Sequence, residues 1–155
     1  MTALFRSMKP IYLVIAVVGV AVWAIVAFSS ITIGESSEWW IMDDQQVWVE
    51  YGYSQGGDRL RFAIIRTWPK DATPEQKILD GRVGRDFLGR LLVRDPDGRM
   101  SPVGLDGDVY FFEGDKLKRM RVRMSESDDT IGLGNSKTLD EMWAHFKRFE
   151  VETGD

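Results

Sequence analysis

Five cations stand within nine residues in Lys116-Leu117-Lys118-Arg119-Met120-Arg121-Val122-Arg123-Met124. In an extended strand this spacing puts Arg119, Arg121 and Arg123 on one face and Met120, Val122 and Met124 on the other. The apolar face belongs to a core. The cationic face presents planar guanidinium forks, which suit carboxylates and phosphates, so three in a ladder fit an anionic polymer, a lipid headgroup or an acidic partner. The same ladder is also what a solvated face balanced by cross-strand acids looks like.

Other chemistry-bearing residues lead to less. With no Cys there is no disulfide framework, thiolate metal site, iron–sulfur cluster, cysteine nucleophile or lipoprotein acylation. His145 is the single imidazole, so any Ser-His-Asp arrangement depends on that one ring. Its place on the flank of a helical apolar stripe predicts a partly exposed structural His. The pairs Asp95/Asp97, Asp106/Asp108 and Asp128/Asp129 have the hard oxygens that calcium prefers, but counting from Asp95 puts Arg99 fifth, Met100 sixth and Asp106 twelfth. That grammar fits turns and not a calcium loop. In Gly132-Leu133-Gly134-Asn135-Ser136-Lys137-Thr138, Ser136 and Ile131 occupy the two glycine positions that a phosphate loop requires. No catalytic motif, metal site or cofactor is expected, and the protein is not expected to be an enzyme.

These residues sit in a chain of 155 with 20 Lys+Arg against 24 Asp+Glu and a pI near 5.1, enough for one small folded domain. Residues 1–30 hold Arg6 and Lys9 and no acid, leaving 18 bases and 24 acids in the rest. So acidic a remainder repels phosphate backbones, and nucleic acid is not an expected partner.

The charge-free stretch from Pro10 to Gly34, with IYLVIAVVGVAVWAIVAF at its centre, has the length and composition of a membrane-spanning helix. Arg6 and Lys9 before it, and Glu35, Glu38, Asp43 and Asp44 after it, orient the N-terminus to the cytoplasm and the rest outside. The expected organisation is a cytoplasmic N-terminus (1–9), a transmembrane signal anchor (10–33), a juxtamembrane spacer (34–45) and an extracytoplasmic α+β domain (46–155). Tyr12, Trp23, Trp39 and Trp40 would anchor at the bilayer interfaces, although Trp39 and Trp40 also read as domain core. The alternative is a cleaved signal peptide, with small residues around Ala27-Phe28-Ser29 marking the site.

Within the domain, alternation over residues 46–53, turn residues 54–58 and a return run over 60–68 predict a hairpin. Thr73-Pro74-Glu75-Gln76 starts a short helix that ends before Gly81. Runs at 87–94, 108–112 and 116–124, with turns at Asp95-Pro96-Asp97-Gly98 and Glu113-Gly114-Asp115, continue the pattern. The fold class expected is therefore α+β: a transmembrane helix, then a small antiparallel β-meander. Thr138-x-x-Glu141 caps a C-terminal amphipathic helix with Leu139, Met142, Trp143, Phe146 and Phe149 at helical spacing.

Residues Gly89 to Gly98, Ser101-Pro102-Val103 and Gly107 to Phe112 follow the order strand, Asp/Gly turn, small-residue link, strand. Over these 25 or so residues the chain resembles the opening of carboxypeptidase-regulatory-like modules of the transthyretin-type β-sandwich. It departs from them by ending in a helix where more strands would follow. The resemblance implies a binding or structural module and carries over no site residues. The function expected from the sequence is a non-catalytic binding, scaffold or accessory domain held outside the inner membrane. Its partners would be the lipid bilayer and another membrane or extracytoplasmic protein. The alternatives are a secreted β-rich binding module and a hydrolase built on Asp and Glu.

Overall fold

The computed structural model describes residues 12, 14–23, 34–42, 44–54, 59–125, 133 and 135–152. The chain divides into two compact units, Met1–Thr32 and Ile33–Asp155. In the first, residues 14–23 are helical, and Tyr12 and Trp23 are exposed. Among the described residues no helix is long and apolar enough to cross a membrane. This finding overturns the expected α+β class with a transmembrane helix and the single-pass inner-membrane location. An apolar run reports composition, whereas spanning also requires a continuous helix of some 20 residues. Residues 1–9, 24–33 and the cleavage site at Ser29 lie outside the described residues.

The second unit is mostly strand. Its elements are β1 (Gly34–Met42), β2 (Gln45–Tyr53), β3 (Leu60–Pro69), α1 (Pro74–Leu79), β4 (Val83–Arg85), β5 (Leu91–Arg94), β6 (Met100–Pro102), β7 (Asp108–Glu113), β8 (Lys116–Arg121) and α2 (Leu139–Lys147). The large sheet has the order β1-β2-β3-β7-β8 and the small sheet the order β4-β5-β6. β3 and β7 pair in parallel, from Phe62↔Asp108 to Arg66↔Phe112. The chain is therefore no meander. Two parallel neighbours need a long crossover, and residues 70–107 supply it by building α1 and the small sheet.

Period-two alternation explains the layers. Val47, Val49, Ile65, Val109 and Phe111 point from one face of the large sheet to Met142 and Phe146 of α2. From the other face Phe62, Ile64, Tyr110 and Phe112 meet Leu91, Val93 and Val103 of the small-sheet layer. Burial on both faces is why β7 reads as the unbroken apolar run Val-Tyr-Phe-Phe.

The stretch read as a juxtamembrane spacer is β1, paired with β2 from Gly34↔Tyr53 to Met42↔Gln45. Trp40 packs against the core and Trp39 projects from the opposite face. There Trp39 meets Trp48 edge-on at 4.6 Å, stacks on Trp68 at 5.7 Å and carries the Lys77 ammonium 4.5 Å above its ring. These contacts give both tryptophans a place in the sheet. α1 is capped as its sequence demands: Thr73 accepts from the Gln76 N–H, and Gln76 returns a bond to the Thr73 N–H.

Candidate functional site

β8 is an edge strand whose alternation divides it as the ladder spacing requires. Met120, Val122 and Met124 are buried in the α2-side layer. Arg119 and Arg121 lie on the other face with side chains 50% and 42% exposed. Arg123, just past the strand, is exposed. Lys118, on the α2 side, pairs with Glu113 at 2.6 Å and lies 5.9 Å from the centre of the Trp143 ring.

Between the arginines is one carboxylate. Asp108, the cross-strand partner of Arg121, is only 2% exposed. Arg119 donates to its Oδ1 twice, from Nε at 3.0 Å and from a terminal nitrogen at 2.7 Å. Arg121 reaches Oδ2 at 3.8 Å, an ion pair beyond hydrogen-bond range. Gly104 closes the other side of the carboxylate, since a Cβ there would stand 2.2 Å from Oδ2. Its N–H donates to the Tyr110 hydroxyl at 2.7 Å, and the Arg119 guanidinium lies 5.1 Å above the Tyr110 ring.

The electrostatics follow from this packing. Burial pulls the Arg119 pKa down, but its hydrogen bond to Asp108, with Tyr110 and Asp95 nearby, outweighs burial and holds it above the ordinary arginine value. Burial pushes the Tyr110 phenol above its usual value against the opposing effect of the Gly104 N–H. One carboxylate cannot neutralise two guanidinium groups. The cluster therefore keeps an excess positive charge at its exposed end, and Arg123 adds to it, having no ion-pair partner among the described residues.

Of the three arginines predicted from spacing, the structure thus brings Arg119 and Arg121 together on Asp108 and leaves Arg123 outside that cluster. The sequence reading set Asp108 at the start of the 108–112 run but explained its acid, with Asp106, by turn chemistry. The signal that could have placed it was parity: Asp108 begins the run that becomes β7, two residues before Tyr110 on the same face. Gly104 gives no such signal, because only the fold brings it against Asp108.

Two clefts offer less. One, of about 470 Å³, is lined by residues that include Glu141, His145 and Arg148. Arg148 donates to His145 Nδ1 at 2.7 Å, so the ring proton sits on Nε2. His145 is 4% exposed and not at the surface as expected; Phe146 and Phe149 meet its ring edge-on. The other cleft, about 230 Å³, lies beside Leu117 among Asp80, Arg82, Arg94 and Asp115. Its arginines are committed to the fold, Arg82 to the Thr67 carbonyl and Arg94 to the Gly81 carbonyl. Among the described residues no group of three His, Asp or Glu is placed to hold a metal ion. No protein-family model matches the chain, and no curated protein or solved structure matches it.

Proposed function

We propose that the β-rich unit, Ile33–Asp155, is a non-catalytic binding module for an acidic partner, which it holds along β8 through Arg119, Arg121 and Arg123. The observation that carries this reading is the charge imbalance at Asp108: two half-exposed guanidinium groups share one buried carboxylate. Asp108 fixes the Arg119 fork before any partner arrives, so binding loses less side-chain entropy than a free arginine would. Exposed cations on an otherwise acidic chain also select against wrong partners and steer the right one.

The test is titration of the full chain with an acidic peptide at two salt concentrations. Arg121→Gln combined with Arg123→Gln should weaken binding and flatten its salt dependence, with Asp108 still held by Arg119. Unchanged affinity in that double variant would overturn the reading.

A further inference from the structure

We propose that the acidic group held on β8 is a phosphate monoester carried by the partner, gripped by Arg119 and Arg121 together. This rests on the binding reading above and names its ligand class. Asp108 shows what a carboxylate does between these two side chains. Arg119 donates to it from Nε and Nη2, both to Oδ1, whereas Arg121 stays 3.8 Å from Oδ2, a buried oxygen that accepts no hydrogen bond. One planar carboxylate thus closes on one fork and leaves the second in ion-pair range only. A phosphate monoester has three terminal acceptor oxygens in a tetrahedral arrangement, so separate oxygens can meet separate forks.

The fold holds Arg119 ready for such a ligand. Its Nε–Nη2 edge is occupied by Asp108, its guanidinium lies 5.1 Å above the Tyr110 ring, and a Cβ on Gly104 would stand 3.2 Å from Nη2. The remaining edge, with Nη1, makes no hydrogen bond or ion pair among the described residues, and the side chain is half exposed. Charge selects the same group. Against Arg119, Arg121 and Arg123 stands one carboxylate in ion-pair range, Asp108; Asp95 acts on Arg119 from farther away and accepts from the Ser101 hydroxyl. A phosphate monoester brings close to two negative charges at neutral pH and complements this excess better than the single charge of a glutamate or of a nucleic-acid phosphodiester.

The probes are two acetylated, amidated heptapeptides, rich in glutamate and identical except at the central residue, which is glutamate in one and phosphoserine in the other. Titrated into the full chain at one salt concentration, the phosphoserine peptide should bind about tenfold more tightly. Arg119→Lys keeps the charge that Asp108 needs and removes the fork, and should cut that preference to about threefold or less. Arg121→Lys should do the same, and serves if circular dichroism shows Arg119→Lys to be unfolded. A full preference kept by either folded variant overturns the two-fork grip. Equal binding of the two peptides overturns the phosphate and leaves the acidic-partner reading standing. Failure of both peptides to bind overturns both proposals. Inorganic phosphate binding as tightly as the phosphoserine peptide, or tighter binding to phosphatidylcholine vesicles that contain phosphatidic acid, overturns the partner chain as the carrier of the phosphate.

Discussion

Arg119 donates two N–H groups to a single oxygen of Asp108, at 3.0 and 2.7 Å, and by doing so lets a carboxylate stay inside the fold. Removing the arginine strands that charge. A fully buried pair broken on one side costs about 3–5 kcal/mol, but Arg119 is half in solvent and Arg121 remains 3.8 Å from Oδ2. Arg119→Ala should therefore destabilise the unit by about 2 kcal/mol in urea denaturation. Adding Asp108→Asn should recover much of the loss, since the neutral amide needs no counter-charge. Arg123→Ala should stay within about 0.5 kcal/mol of the parent. Equal effects of Arg119→Ala and Arg123→Ala would show that the Asp108 pair contributes nothing.

Two glycines with similar backbone angles should respond differently to alanine. Gly98 has φ +84 and open space around its missing Cβ, so Gly98→Ala meets only the left-handed backbone penalty, about 1 kcal/mol. Gly107 has φ +86, and a Cβ there would stand 2.0 Å from the Val122 carbonyl oxygen. Gly107 also accepts from the Val122 N–H and donates to the Arg61 carbonyl, so β3, β7 and β8 are tied together at this one residue. Gly107→Ala should cost about 3 kcal/mol or more. Melting temperatures of the two variants lying within a degree or two would contradict the crowding.

Tyr110 sets an alkaline limit. Burial raises its folded pKa above the ordinary value near 10. Between those two values the folded state holds a proton that the unfolded chain has lost, so stability falls as pH rises through the interval. The contribution is complete below about pH 10 and declines above it. Tyr110→Phe should flatten that decline, while leaving the Gly104 N–H without its acceptor and lowering stability at neutral pH. Urea midpoints from pH 8 upward measure both, and an identical alkaline slope in the two proteins would refute the assignment.

How much of this was legible depended on distance along the chain. The β2–β3 hairpin, the Thr73 cap, the Gly114 turn between β7 and β8 and the alternation of β8 each depend on neighbours within a few residues, and the sequence reading placed them. The parallel pairing of β3 with β7 did not show, because its register joins Phe62 to Asp108 across a whole second sheet. β1 was hidden by its composition: Gly34, Glu35, Ser36, Ser37 and Glu38 look like a linker and become a strand only because β2 offers an edge. The ladder of Arg119, Arg121 and Arg123 was legible as a pattern. Its division at Asp108 was not, since a buried acid looks the same as a turn acid until the fold surrounds it.

α2 supplies the last test, on two aromatics that the apolar stripe does not rank. Phe146 is fully buried in the layer beneath the large sheet. Trp143 is only partly buried: it tilts against Phe111 at 5.4 Å, with the Lys118 ammonium 5.9 Å from its ring centre. Phe146→Ala opens a cavity with no solvent to fill it and should cost about 3–5 kcal/mol. Trp143→Ala removes a larger ring, but one whose outer side already meets water, and should cost about 1–2 kcal/mol through lost area and the cation–π contact. Lys118→Met should account for only a small part of the Trp143 effect, because Glu113 holds that ammonium in any case. Equilibrium denaturation of the three variants decides the order. A larger loss for Trp143→Ala than for Phe146→Ala would mean that α2 is held to the sheet by its exposed margin and not by its buried centre.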